Sequence, residues 1–506
     1  MRNSSLCRRV PSRSTHRLAA AAGVGGLLVV WAAASVAAGS YLVPAPWTSA
    51  VDTYRLLADG FTWAQILITL ARVCIGFCVG FAAGLIVGLA SGSRPGVNAF
   101  FRPIVQFFQG MPPLLWAIPL VALMGIGHLP AITVISLITF PLIAVTIGEG
   151  MTTLPRSYGE MLSVFAPGFR PRMLELVLPH LRPFLAASVK AGLVLAVKAS
   201  VTAEYFGANN GIGFQIQSAY MALRIRSLFA WAIILILVIL TFPYILRLLG
   251  QFWLLASMLT DGRAQTARLG LQGPGRTHLS ESSSFAPRIR LQRLDFSWRN
   301  GGVLLHDVNL EVEPGHVAVI CGDSGIGKTT LLLLIASLLT PESGSVSCPA
   351  RIGFVFQDDR LLPWRSVVDN TALPLRYGGH RREEARDEAR ALLTEIGLAE
   401  AEEKRPGELS GGMKKRAALA RCFARAPDAI LMDEPFSGLH AEARKSLWAL
   451  FLRLLSRHPI PTVVVTHYPR ELEGAEGCTV YRLTGKPARL ARARDTRRGG
   501  ARLRKE

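Results

Sequence analysis

Acidic residues are scarce in this chain: 35 Asp and Glu stand against 56 Lys and Arg, leaving a net charge of +21. Arg2, Arg8, Arg9, Arg13 and Arg17 precede the first apolar run with no acid among them. An excess of this size can signal nucleic-acid binding, but here the basic residues flank apolar runs, which marks the cytoplasmic side of a membrane segment instead. Nucleic acid is therefore not an expected partner. Cysteine is sparse too. There are seven, an odd number without regular spacing, which excludes a disulfide scaffold and suits a reducing compartment. Cys74 and Cys78 lie one helical turn apart inside an apolar run and read as small packing residues, not a metal pair. No internal repeat is present.

What the chain does have is hydrophobicity. Half its residues are hydrophobic, and the long apolar runs lie in the first half. A membrane-spanning helix needs about 20 mostly apolar residues. Six candidates meet this: 18–43, 65–90, 100–125, 129–149, 184–206 and 228–250. The first is too long for a signal-peptide core and is followed by further spans, so it reads as a retained helix. With the N-terminus inside, the inner loops carry Arg94, Arg102, Arg156, Arg170, Arg172 and Arg182, and the outer ones only Arg55, Arg224 and Arg226. That asymmetry supports the orientation. The expected organisation is a basic cytoplasmic N-terminus (1–17), a membrane domain (18–250), a linker (251–287) containing GLQGPGRTHLSESSSFAP, an α/β domain (288–485) and a basic, disordered tail (486–506). The fold class is thus multidomain: an all-α polytopic membrane domain of six transmembrane helices, then an α/β P-loop domain.

The strongest chemical signal is HVAVICGDSGIGKTTLLLLIASLL. Val317–Cys321 reads as a buried strand, and Gly322, Asp323, Ser324, Gly325, Ile326, Gly327, Lys328 and Thr329 match G-x-x-x-x-G-K-[ST] between strand and helix. The glycines let backbone N–H groups curl around phosphates at a helix N-terminus. Lys328 is expected to reach the β and γ phosphates of ATP, Thr329 to hold Mg²⁺, and Thr330 to complete the nucleotide contacts. About 100 residues later AILMDEP places Asp433 and Glu434 after four apolar residues. Asp433 suits a Mg²⁺ contact and Glu434 suits polarising the attacking water.

Between these motifs lies Leu409-Ser410-Gly411-Gly412-Met413, followed by Lys414, Lys415 and Arg416. This resembles the signature sequence of ABC-type ATPases. The resemblance extends over essentially all of 289–485. It implies that Ser410, Gly411 and Gly412 close on ATP held by another subunit. It makes Trp298 the adenine-stacking aromatic, Gln357 in FVFQDDRLLPW the Q-loop glutamine touching Mg²⁺ and water, and His467 in VVVTHYP the switch histidine. The catalytic set is then Lys328, Glu434 and His467, with Thr329, Gln357 and Asp433 around Mg²⁺. Two positions depart from the family: His440 ends the D-loop Ser437-Gly438-Leu439-His440, and Tyr468 follows the switch histidine, where Asp is usual in both places.

The compact membrane part, with an inner loop of about 35 residues, differs from exporters. That loop, GEMLSVFAPGFRPRMLELVLPHLRP, resembles the importer coupling motif, with Glu160, Ala166 and Pro179 in its Glu, Gly and Pro positions. LLPW at Leu361–Trp364 with LSGGM, Ile68-Thr69-Leu70-Ala71-Arg72, and Ala203-Glu204-Tyr205-Phe206-Gly207 with Gly211-Ile212-Gly213 are similar to the branch serving nitrate, sulfonates, taurine and thiamine precursors. Fusion of permease and ATPase is unusual in that branch. Lys190, Lys198 and Glu204 fall in or near the fifth span, where charge often marks a pathway. The resemblance implies an ATP-driven importer of a small organic or anionic solute in the cell (inner) membrane. It would be multi-pass, with both termini and the ATPase cytoplasmic, and would work as a homodimer with a separate substrate-binding protein. The other readings are an exporter half-transporter and a membrane-tethered regulatory ATPase.

Overall fold

The computed structural model describes residues 13–165, 168–242, 244, 287–298, 302–472 and 477–492. The expectations for residues 1–12, Ala166, 251–286 and 493–506 lie outside them. The chain divides into two compact units, Met1–Thr153 with Leu181–Ala264, and Leu154–His180 with Gln265–Glu506.

In chain order the helices of the first half are α1 (Arg13–Ala38), α2 (Pro46–Leu57), α3 (Gly60–Ser93), α4 (Pro95–Gly110), α5 (Pro113–Met124), α6 (His128–Thr152), α7 (Arg156–Val164) and α8 (Phe169–Arg172). A π-helical turn (Met173–Val177) then leads into α9 (Leu178–Gly207), followed by α10 (Ile212–Met221) and α11 (Ile225–Phe242). Among the described residues five helical runs are long and apolar enough to cross a membrane, six if a bent pair counts as one. The bent pair corrects the continuous span expected at 100–125: α4 and α5 meet at 92° across Met111 and Pro112. Two consecutive prolines, Pro112 and Pro113, explain the break. Each disfavours the helical conformation in the residue before it, and each lacks the N–H a helix needs.

α3 and α6 pack backbone to backbone. A Cβ added at Gly76, Gly80, Gly84, Gly88 or Gly92 would fall between 2.7 and 2.9 Å from a carbonyl oxygen of α6. Glycine every fourth residue makes a stripe without side chains, which allows this approach in a membrane. Gly84→Leu is expected to destabilise the unit by about 1–3 kcal/mol or more through overpacking, lowering the thermal midpoint of the purified chain in detergent; an unchanged midpoint would count against the contact.

Charge inside this unit is paired. Glu204 on α9 and Arg72 on α3 are both essentially inaccessible and lie 2.8 Å apart. Glu204 also accepts from the Thr69 hydroxyl at 2.9 Å and the Gly213 N–H at 3.0 Å. Thr69 in turn accepts from the Ile212 N–H, and Gln65 from the Gly211 N–H. The carboxylate thereby occupies the N-terminus of α10, where helix dipole and free N–H groups favour an anion. Gly211 has φ +99°, and a Cβ there would lie 2.6 Å from the carboxylate. Arg72 spends its other donors on His128 and Asn210. The three charges grouped in the sequence therefore separate: Glu204 is buried and paired, while Lys190 and Lys198 are exposed along α9.

The second unit is α/β. Its strands are β1 (Ile289–Ser297), β2 (Val303–Val312), β3 (Val317–Cys321), β4 (Ser343–Ser347), β5 (Ile352–Val355), β6 (Ala429–Asp433), β7 (Thr462–Val465), β8 (Cys478–Thr484) and β9 (Arg489–Arg492). Its helices are α12 (Lys328–Ile335), α13 (Val367–Thr371), α14 (Leu373–Tyr377), α15 (Arg382–Glu395), α16 (Gly411–Phe423) and α17 (Ala441–Arg457). One sheet runs β5-β6-β7-β3-β8-β9, parallel except for β9; the other, β2-β1-β4, is antiparallel. Every residue of β3, β6 and β7 is buried, as expected of central parallel strands covered on both faces. Their residues alternate between two apolar cores, with Val319, Met432 and Val464 in one and Ile320, Leu431 and Val465 in the other. Met161 and Leu162 of α7, and Leu176 of the π turn, join the second core.

Candidate functional site

The strand order assembles the site. Ile320 and Asp433 both pair with Val465, so the loops leaving β3, β6 and β7 emerge side by side at the carboxyl ends of adjacent strands. Ligands bind at this edge in open α/β sheets. The three loops carry Lys328, Glu434 and His467.

The first loop curls as its glycines dictate. Gly325 has φ +78° and Gly327 φ +108°, left-handed values costly for other residues. At Gly322 a Cβ would meet the Leu483 carbonyl at 2.6 Å. Lys328 opens α12 and folds back, its ammonium donating to the Gly322 and Asp323 carbonyls, each at 2.8 Å. The Thr329 hydroxyl donates to Asp433 at 2.8 Å. Burial pushes the Asp433 carboxyl above the usual carboxylate range; the Thr329 hydrogen bond opposes this and the charge of Glu434 adds to it. Thr330 is buried in α12 and Ser324 stands in the turn between Asp323 and Gly325.

Glu434 has φ 43°, a left-handed backbone that a non-glycine residue adopts at a cost of about 1–3 kcal/mol. Its N–H donates to the Val465 carbonyl at 2.9 Å, which holds the turn. The side chain reaches His467, with Oε1 and Nε2 2.7 Å apart. The structure thus brings Lys328, Thr329, Asp433, Glu434 and His467 onto one sheet edge.

The other expected residues are carried by further elements. Ser410 caps α16, its hydroxyl accepting from the Met413 N–H at 3.4 Å, with Gly411 and Gly412 as the first helical residues. Trp298 is half exposed beyond β1, edge-on to Phe296 at 5.3 Å. Gln357 follows β5 with its backbone held: Lys415 donates to its carbonyl at 2.6 Å and lies 3.3 Å from Asp359. Arg421, fully buried, donates to the Arg360 and Asp359 carbonyls at 2.7 and 2.8 Å. A cavity of about 610 Å³ opens beside this segment, lined by Gln357, Arg360, Lys414, Lys415 and Ser437 among others. His440 caps α17, its Nδ1 accepting from the Ala443 N–H at 3.3 Å.

The segment 154–180 packs into the same unit. Glu160 pairs with Arg360 at 2.9 Å, and Arg360 also donates to the Ser157 carbonyl. Pro179 lies in the first turn of α9. The strongest anchor is a residue the sequence pattern did not single out. Glu175 receives Arg365 on one oxygen and Arg376, at 3.0 Å, on the other. Its carbonyl accepts from the Trp364 indole at 3.2 Å. Burial, then the neighbouring Arg376, bring the Arg365 guanidinium down to about 10, still cationic at neutral pH. Tyr158 meets Trp364 edge-on, and Phe165 stacks on Tyr377. The available signal was Trp364 within LLPW, an aromatic at a loop end.

Comparison with known proteins agrees with both halves. Residues 305–437 match the model of the ABC transporter family, and residues 76–253 match that of the binding-protein-dependent transport system inner membrane component. The aliphatic sulfonates import ATP-binding protein SsuB 1 of Paracoccus denitrificans (strain Pd 1222) is 41% identical over 186 residues, 36% of this chain and 74% of that protein. The taurine import ATP-binding protein TauB of Pseudomonas entomophila (strain L48) is 38% identical, over 35% of this chain and 73% of its own. An uncharacterized ABC transporter ATP-binding protein, YtlC of Bacillus subtilis (strain 168), is 41% identical over 34% and 69% respectively. The solved dimeric structure of a bacterial ABC transporter cassette is 29% identical, covering 38% of this chain and 93% of that one, with a TM-score of 0.36. The chain belongs to the ABC transporter family, with a permease domain and an ATP-binding domain in one polypeptide. It is a multi-pass membrane protein and an ATPase coupled to transport.

Proposed function

We propose that this chain imports a small organic solute bearing a sulfonate group, of the aliphatic sulfonate or taurine class, using hydrolysis of ATP with Mg²⁺. The observation that carries the reading is the packing of residues 154–180 into the ATPase unit beside the segment that follows Gln357. A permease loop anchored there gives nucleotide chemistry a mechanical outlet. The substrate class is supported by the import functions for which the relatives are named and by Lys190 and Lys198, which are exposed on α9. Lys198 lies about 13 Å of helix before the end of α9 at Gly207. A charge at that depth suits an anion pathway better than lipid.

The residues fit the proposed nucleotide and metal. Thr329 and Asp433 present two hard oxygens 2.8 Å apart, the donor type Mg²⁺ takes. A buried carboxylate whose ionised form is disfavoured gains from a cation. Bound Mg²⁺ would neutralise phosphate charge. Lys328 supplies a further positive charge, Glu434 accepts the proton of water, and His467 holds the Glu434 carboxylate in place. Gln357 would contact Mg²⁺ and water and sense the membrane domain, Trp298 would stack on adenine, and the Ser410–Gly412 helix end would close on nucleotide held by a second copy. That makes the working form a homodimer, delivered its solute by a separate binding protein, in the cell inner membrane with its ATPase cytoplasmic.

The test is ATPase of the full chain in lipid nanodiscs, with solute flux measured in proteoliposomes, using candidate binding proteins loaded with sulfonates, nitrate or pyrimidine compounds. Stimulation by a sulfonate-loaded protein, with a raised half-saturation for uptake in Lys198→Met, is expected. Efflux without any binding protein would mean an exporter, and hydrolysis with no flux a regulatory ATPase.

A further inference from the structure

The two departures from the family pattern, His440 and Tyr468, lie on different loops, yet one side chain connects them. Arg444, in the first turn of α17, donates to the Leu439 carbonyl at 2.6 Å, next to His440. The same guanidinium lies over the Tyr468 ring, 4.3 Å from its centroid. Its Nε donates to Glu471 at 2.9 Å, and the other oxygen of Glu471 accepts from the Trp448 indole at 3.0 Å. Trp448 in turn packs edge-on against Phe436, with centroids 4.7 Å apart. Arg444 and Glu471 are each less than one-fifth exposed.

These contacts enclose a small cleft whose lining includes Glu434, Arg444, His467, Tyr468 and Glu471. Glu434 enters it from the turn after β6, and His467 from the turn after β7. Among the described residues, the two turns are joined by the Glu434 N–H bond to the Val465 carbonyl, the 2.7 Å approach of Glu434 to His467 and the Arg444 group. A planar guanidinium suits such a junction: its fork donates in two directions while its face stacks on an aromatic ring. An acid after the histidine would leave Arg444 without that ring.

We propose that Arg444 is a positioning residue for ATP hydrolysis, fastening the turn after Glu434 to the turn after His467 so that the two side chains keep their contact. Tyr468 is its platform and Glu471 its counter-ion. The proposal rests on the assignment of Glu434 and His467 to the hydrolytic step.

The test uses the full chain in lipid nanodiscs with R444A, Y468A, Y468F and E434Q. In R444A, kcat for ATP is expected to fall about 10-fold or more, as misplacement of reacting groups does, with KM for ATP within about 2-fold. Y468A falls in the same direction, whereas Y468F, which keeps the ring, behaves as wild type. Independently of turnover, amide exchange in R444A should quicken in 434–440 and 466–472 together. Wild-type kcat in R444A, a KM change that accounts for the loss, or Y468F as impaired as Y468A would each overturn the proposal. Should R444A not fold, Y468A decides, because Tyr468 is half exposed and tolerates truncation. Wild-type turnover in E434Q would sink the underlying assignment. An inactive E434Q beside normal R444A and Y468A would sink only this inference.

Discussion

Glu434→Gln is expected to lower kcat for ATP hydrolysis by about 100-fold or more, the range lost when a general base is removed, while nucleotide binding survives. Glutamine keeps the volume and can still hydrogen-bond His467, so the turn at φ 43° and its anchor on Val465 stay intact. What disappears is a proton acceptor at the end of β6. Lys328 and the loop around it are untouched, so the variant should bind ATP as tightly as the wild type. Phosphate release in nanodiscs measures the first effect, and binding of a non-hydrolysable analogue the second. Turnover at the wild-type rate would show that water is activated by some other group.

The second large effect concerns transport. Glu175→Ala is expected to cut solute uptake by about 10-fold or more while ATP hydrolysis continues. The substitution leaves Arg365 and Arg376 facing each other without their shared acid. Removing one partner of a desolvated charge pair costs about 2–5 kcal/mol; the low end applies, since Arg376 is 28% exposed. About 2 kcal/mol corresponds to a factor near 30 in the occupancy of the docked arrangement. Glu160→Gln should do far less. Its side chain is 48% exposed, and exposed pairs contribute about 0–1 kcal/mol. Uptake and ATPase measured in parallel in proteoliposomes separate the two variants. Equal effects would remove Glu175 from its anchoring role.

The cluster proposed as the nucleotide site was legible because its chemistry is local in sequence. A phosphate-binding turn needs its glycines and lysine at fixed spacing, and a strand that ends in acids announces itself by the apolar run before it. Strand order then does the rest, bringing together loops more than 100 residues apart. The anchoring role of Glu175 was not legible, because its partners lie 190 to 201 residues later and share no motif with it. The break at Pro112 was readable from two adjacent prolines, but the apolar composition on either side masked it. The pairing of Arg72 with Glu204 lay inside two stretches the family resemblance had marked, and only three-dimensional placement joins them. Arg444 carries no sequence signal beyond being an arginine at the start of a helix.

The glycine stripe of α3 bears on how the membrane domain can move. Five positions at four-residue intervals touch carbonyl oxygens of α6 with no room for a methyl group. Two helices meshed at that distance cannot slide or rotate against each other without separating. They therefore behave as a single rigid body in any switch between states. Breaks in the same unit interrupt that rigidity, among them the 92° corner between α4 and α5 and the turn between α9 and α10 that closes over Glu204. The first is a corner built from prolines. The second is held by a carboxylate, and so can be opened only by giving up hydrogen bonds.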